Sequence, residues 1–182
     1  LQEHSPLIAQ KILQELEDQR NSLKMIASEN YASLAVQLAM GNLLTDKYAE
    51  GYPYHRFYAG CDNVDAIETK AVDTAKALFG AHHAYVQPHS GADANLVAFW
   101  SIILKRIQSK EVEILHKKSI DELTPDEYES VRKKLVSQKI LGLSLNSGGH
   151  LTHGYRHNIS SKMMQAVFYD VDPETELRNY DK

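Results

Sequence analysis

The spacing of apolar positions changes several times along the chain, and each change marks an element. Ser5 and Pro6 stand as an N-cap and a first helical residue, and Ile8, Ile12 and Leu16 recur at helical spacing through a charged segment. This predicts an N-terminal amphipathic helix whose apolar face must cover either its own subunit or a neighbour. Leu23 to Tyr31, LKMIASENY, starts apolar and ends in small polar residues, which places Ser28, Glu29 and Asn30 just ahead of a second helix. Ser33 is set to cap that helix, with Val36, Met40, Leu43 and Leu44 on one stripe. Asp62 or Asn63 caps a third, with Val64, Ile67, Ala71, Ala75 and Leu78 inward and Gly80 closing it. Ala84 to Val86 reads as a short strand stopped by Pro88, and Leu96 to Leu104, almost wholly apolar, as a buried helix. Ile140 to Leu145 and Gln165 to Val171 return to strand character. Strands alternating with helices imply an α/β domain with a mainly parallel sheet, whose ligands gather in the loops beyond the strand ends.

Two kinds of stretch interrupt this alternation. From Lys105 to Lys139, 16 of 35 residues are charged, nine basic and seven acidic, so the signs balance. Thr124, Pro125 and Glu127 make a capping box with proline at the first helical position, and Tyr128, Val131 and Leu135 give a narrow apolar stripe. The segment reads as an inserted helical hairpin packed on the outside, with a charge-rich docking arm as the other reading. The second kind is three loops rich in glycine or aromatic residues. Lys47 to Cys61, KYAEGYPYHRFYAGC, holds five aromatic residues among its fifteen, with glycine and proline too frequent for regular structure. It is expected to be an irregular, semi-rigid loop, and a lone Glu50 among rings suits a flat ligand undergoing proton transfer. A tyrosine-rich contact between subunits accounts for the same composition. His89 to Asn95, HSGADAN, lies between the strand and the buried helix, so the free N–H groups of the helix start and the Ser90 hydroxyl converge where an anion could bind. An ordinary tight turn looks the same. In Asn146 to Gly154, NSGGHLTHG, His150 and His153 lie three apart with His157 beyond, but the glycines oppose a helix and no adjacent carboxylate completes a zinc set.

Composition narrows the classes. The chain has 182 residues, 43% of them hydrophobic, enough to bury a sizeable core. Its net charge of -4 offers no basic field for nucleic acid. Cys61 is the only cysteine, which rules out an internal disulfide and a multi-cysteine zinc site and fits a reducing compartment. No apolar run approaches the roughly 18 residues that cross a bilayer, and the first thirty residues contain no signal-like sequence, so a cytoplasmic protein is expected.

Taken together, ASENY at Ala27 to Tyr31, KYAEGYP at Lys47 to Pro53, QPHSG at Gln87 to Gly91 and GGHLTHG at Gly148 to Gly154 resemble the serine hydroxymethyltransferases, in order and in relative placement. Apart from the charged insert, the resemblance covers nearly the whole chain. It implies a pyridoxal 5'-phosphate enzyme of the aspartate-aminotransferase-like α/β fold that moves a hydroxymethyl group from serine to tetrahydrofolate, leaving glycine. It implies a homodimer whose active sites are shared between subunits. The matching motifs put Ser90 and Gly91 on the cofactor phosphate, His150 on the pyridine ring and Ser28 on the amino-acid substrate. They bring Tyr48, Glu50 and Tyr58 to the site, with Glu50 handling protons, and set Phe57, Leu145, Gly149 and Leu151 against the folate. No metal is implied.

The resemblance has departures. Phe57 stands where the family usually has tyrosine, Tyr54 and His55 replace a small and commonly a basic residue, and Asp93 places a carboxylate beside the proposed phosphate. The insert is longer than the family's short connection. The family's cofactor lysine, with the aspartate and arginine that accompany it, belongs to motifs absent from these residues. The chain is therefore expected to be an N-terminal portion of the enzyme: a helical segment over 1–46, then over 47–182 the first part of the large domain, with the insert at about 105–139. A short noncatalytic module that keeps part of the folate or dimer surface is the alternative.

Overall fold

The computed structural model describes residues 1–178 and divides into two compact units, Leu1–Lys70 and Ala71–Lys182. The first unit begins with helix α1, Pro6–Asn21, which has Pro6 in its first turn and no buried residue. Its apolar stripe, Ile8, Ile12 and Leu16, is exposed. Helix α2 is short, Leu34–Met40, and starts where the Ser33 side chain accepts a hydrogen bond from the Val36 N–H. Gly41 ends it, so the predicted stripe does not continue on one helix: Leu43 and Leu44 belong to a separate 3-10 turn, Leu43–Asp46.

The aromatic stretch is more regular than its composition suggests. It folds as a tight antiparallel hairpin, β1 (Gly51–Tyr52) paired with β2 (His55–Arg56), with Gly51 opposite Arg56 and Tyr52 opposite His55. Pro53 and Tyr54 make the turn, which Tyr54 closes in the left-handed region at φ 64°. A glycine is required at position 51: its φ is 108°, and a Cβ there would overlap the His55 carbonyl oxygen.

Helix α3, Asp62–Phe79, begins in the first unit and runs into the second. Its covered positions differ from the predicted face. Ile67 and Leu78 are exposed, whereas Asp65 is buried and Glu68 half-buried. That side is polar because it receives Arg56 of the hairpin. The guanidinium Nε donates to Asp65 Oδ1 at 2.7 Å and Nη2 to Glu68 Oε2 at 2.6 Å, while Nη1 reaches the carbonyls of Ala49 and Gly51 at 2.8 and 3.1 Å. Asp65 Oδ2 also accepts from the Tyr54 N–H at 3.0 Å. Beside this clamp the buried Cys61 thiol lies 3.4 Å from the Tyr58 carbonyl.

In the second unit Ala84 to Val86 forms no strand; the chain there is irregular up to Ser90, which caps helix α4 (Gly91–Ile103) through its hydroxyl and the Asp93 N–H at 3.1 Å. The helix is less buried than its apolar run predicts, with Ile103 its one buried residue. It continues through a wider π turn, Leu104–Gln108, into α5, Ser109–Ile114. Helix α6, Pro125–Val136, has the predicted capping box, Thr124 and Glu127 bonding reciprocally at 3.3 and 2.8 Å.

The inserted segment is not an external appendage. Val131 and Leu135 of α6 are among the most buried side chains and form the core of the unit with Ile103, Ile140 and Met164; Phe99, Ile107 and Leu123 pack against it. Its charges occupy the opposite face, where Lys134 pairs with Glu111 at 2.6 Å. Val131 and Leu135 of the predicted stripe are buried despite the density of charge around them, while Tyr128 is half-exposed. Strands β3 (Lys139–Leu143) and β4 (Gln165–Tyr169) pair in parallel, Lys139 opposite Gln165 through Leu143 opposite Tyr169, with the short helix α7, Ser160–Met163, leading into β4. The predicted strands thus end slightly early: Leu145 lies in a 3-10 turn, and Val171 makes an isolated bridge with Arg178. No described helix is long and apolar enough to cross a membrane.

Candidate active site

Each unit holds part of the predicted set. In the first, the hairpin gathers Tyr48, Glu50 and Tyr58. The Tyr48 and Tyr58 rings lie 5.8 Å apart at a tilt of 45°, and the Tyr58 hydroxyl donates to Glu50 Oε2 at 3.4 Å. The Phe57 N–H donates to the Glu50 carbonyl at 3.1 Å, which fixes the backbone that carries the carboxylate. Glu50 is exposed, so none of the described residues dries it as a carboxylate among packed rings would be dried. Phe57 is 81% exposed, and Ser28 lies in an exposed turn ahead of α2.

The clamp beneath these residues is strongly ionic. The hydrogen bonds that Arg56 donates, to Glu68 first and Asp65 second, hold its guanidinium further toward the charged form, and the Arg56 hydrogen bond holds the Asp65 carboxyl below its ordinary range. Both side chains are nearly buried, 4% and 8% exposed. Neither residue was picked out in the sequence. The available signal was Asp65 and Glu68 at i and i+3 on the first turns of α3, a spacing that puts two carboxylates on one face.

The second unit contributes Ser90, Gly91, Leu145, Gly149, His150 and Leu151. The start of α4 at Ser90 and Gly91 is solvent-exposed, as an anion-binding helix end must be. The Ser90 hydroxyl already caps Asp93, so what it offers an anion is a lone donor proton beside the helix N–H groups. Past β3, the chain turns back sharply: the Gly149 N–H donates to the Ser144 carbonyl at 2.8 Å, and a Cβ on Gly149 would overlap the Leu143 carbonyl. That turn sets Leu145 and His150 on a cavity of about 340 Å³, also lined by Tyr155, Arg156, Phe168 and Asp170. Thr152 lies behind His150. Its Oγ1 is 2.7 Å from His150 Nδ1, and it accepts a hydrogen bond from Asn95 Nδ2 at 2.8 Å. Asn95 is on the second turn of α4, so one hydrogen bond across 57 positions joins the helix that starts at Ser90 to the loop that carries His150. No local pattern signals such a pairing. His153, between Phe99 and His150 at ring distances of 5.7 and 5.5 Å, packs as an aromatic, and no group of three or more metal-ligating side chains occurs among the described residues.

The loop of Gly149 and His150, the capped start of α4 and the Glu50 hairpin fall in segments that match a single family profile, described as Serine hydroxymethyltransferase, over residues 1–114 and 128–182. The chain belongs to the serine hydroxymethyltransferase family. The unmatched residues, 115–127, are the turn between α5 and α6 and the start of α6, a narrower interruption than the whole charged segment. Serine hydroxymethyltransferase from Treponema pallidum (strain Nichols) is 58% identical over 175 residues, covering 96% of this chain and 30% of that protein. That of Chlamydia trachomatis serovar L2 is 60% identical over 178 residues, 97% of this chain and 36% of the relative. That of Mycolicibacterium smegmatis is 54% identical over 176 residues, again 97% and 36%. The chain spans about a third of the length of the serine hydroxymethyltransferases it matches.

Proposed function

We propose that the chain is an N-terminal portion of a pyridoxal-phosphate-dependent hydroxymethyltransferase that interconverts serine and glycine, with tetrahydrofolate as the one-carbon acceptor. The observation that carries this reading is family membership at 54–60% identity, in a chain whose anion-accepting helix start and ring-bearing loop are tied by Asn95 and Thr152. The reading includes a helical segment over 1–46, the first part of a mainly parallel large domain over 47–182, a cytoplasmic homodimer, and neither nucleic acid nor membrane as partner.

The residues fit the cofactor. A phosphate accepts from the exposed N–H groups at Gly91 and from the Ser90 hydroxyl, with the helix dipole favouring its charge. The exposed His150 ring offers a flat face for a pyridine ring, and Tyr48 adds a phenol at the cofactor's edge. Bound pyridoxal phosphate supplies the electron sink for the bond broken on the amino acid. Ser28 binds the substrate amino acid. Phe57, Leu145 and Leu151 offer apolar contact to the folate, and Gly149 leaves room for its close approach. Glu50, oriented by the Tyr58 hydroxyl, holds and returns the proton as the one-carbon unit passes to the folate. Closure of the site over the exposed Glu50 by folate or by a second subunit would exclude water from it.

The test is serine- and tetrahydrofolate-dependent transfer by the full-length protein, alongside the isolated 182-residue chain. Transfer by the former and none by the latter is the expected result, since the residues that complete nucleophilic catalysis in the family lie outside these motifs. A full-length protein that binds folate or dimerises without any transfer would favour a noncatalytic module instead.

A further inference from the structure

Asn95 and Thr152 have no role in the reading above beyond joining two segments, yet their geometry bears on the chemistry of His150. A backbone N–H can only donate, so the Thr152 N–H at 3.2 Å from His150 Nδ1 requires a lone pair on that nitrogen. The Thr152 hydroxyl, 2.7 Å from the same nitrogen, then donates as well. Its own lone pairs face Asn95 Nδ2, a donor at 2.8 Å. Every atom in the chain from Asn95 to Thr152 to His150 thus has a single consistent direction, and Thr152, at the centre, is 5% exposed, where water competes little.

We infer that Asn95 and Thr152 are positioning residues: together they hold the neutral His150 ring with its proton on Nε2 and its plane fixed at the cavity wall. The inference rests on the reading of His150 as the ring that faces the cofactor, and it deepens that reading by specifying the tautomer. A ring pinned through Nδ1 keeps one face free for a flat ligand and leaves Nε2–H as a donor toward whatever fills the cavity. Because Asn95 lies on the helix that begins at Ser90, the same contact sets the height of the ring relative to the phosphate-accepting helix start.

The test is long-range proton–nitrogen spectroscopy of the full-length protein labelled with ¹⁵N-histidine, at about pH 8.5, two units above the ordinary histidine value. His150 is assigned by the resonances that His150→Gln removes. The expected spectrum has Nδ1 unprotonated and Nε2 protonated. Thr152→Val, similar in volume but without the hydroxyl, should lower the tautomer ratio about fivefold, the effect of one net hydrogen bond, and Thr152→Ser should restore it. Asn95→Asp is the decisive variant. A carboxylate would draw the Thr152 hydroxyl proton toward itself and turn a lone pair to Nδ1, moving the ratio in the same direction as Thr152→Val without changing side-chain shape. A merely structural role predicts no movement. A wild-type ring protonated on Nδ1, or a ratio unchanged in both Thr152→Val and Asn95→Asp, overturns the inference. Pyridoxal phosphate titration of the same samples separates the two claims. The expected tautomer without cofactor binding sinks the cofactor reading and leaves the positioning intact, whereas binding with an unmoved tautomer does the reverse.

Discussion

Glu50 meets the Tyr58 hydroxyl at 3.4 Å and otherwise faces solvent, an arrangement that aims a carboxylate without drying it. If it moves a proton during transfer, Glu50→Gln keeps size and hydrogen-bonding shape but removes the titrating site. In the full-length protein this substitution should leave the fold and pyridoxal phosphate binding intact and slow folate-dependent transfer by at least about 100-fold. A lowered melting temperature with transfer kept would instead make Glu50 a scaffold for the loop. Gly149 poses a steric question. A methyl there would overlap the Leu143 backbone, so Gly149→Ala should cost about 1–3 kcal/mol of stability in a denaturant melt, whatever it does to folate binding. The residues proposed for the chemistry stand in short motifs, which is what made them visible in the sequence. Asn95 and Thr152 were not visible there, since a lone amide and a lone hydroxyl far apart in sequence leave no pattern until the chain folds.

Elements were legible where local chemistry decides them. Ser33 and the Thr124–Glu127 box each begin a helix at the predicted position, whereas the helix capped by Ser90 starts at Gly91, five residues ahead of the expected Leu96. What escaped was the covering of each face, because that depends on partners. The polar face of α3 is covered by Arg56, and the charged α6 carries core. Leu135→Ala should therefore destabilise the protein by about 2–5 kcal/mol, and excising all of 105–139 should unfold the second unit rather than trim it. Circular dichroism melts distinguish this from a dispensable insert. The hairpin clamp makes a pH prediction. Because Arg56 holds the Asp65 carboxyl below its ordinary value of 3.8, that contribution to stability is fully present above the ordinary value and is lost as pH falls through the folded one. On acidification from pH 7 to about pH 3, the melting temperature should fall further in the wild type than in Asp65→Asn, which has no proton to gain at position 65 and keeps only the Glu68 carboxylate on Arg56. An equal fall in both would show that the pair contributes nothing to acid sensitivity.

At the scale of the whole molecule, the exposed apolar stripe of α1 needs a cover, and a second subunit supplies one in the homodimer we propose. Ile12→Glu should then halve the mass of the full-length protein in sedimentation, whereas a stripe that covers its own subunit would leave the mass unchanged and lower the melting point. The hairpin clamp also sets an order of events. Arg56 finds Asp65 and Glu68 only 9 and 12 positions away, and loops of about ten residues close in roughly 10–100 ns. Asn95 must wait for Thr152, 57 positions later, a delay of about 3–11 s at synthesis rates of 5–20 residues per second. The aromatic loop can therefore acquire its shape while the ribosome is still making the chain, several seconds before the ring of His150 has anything to be pinned by.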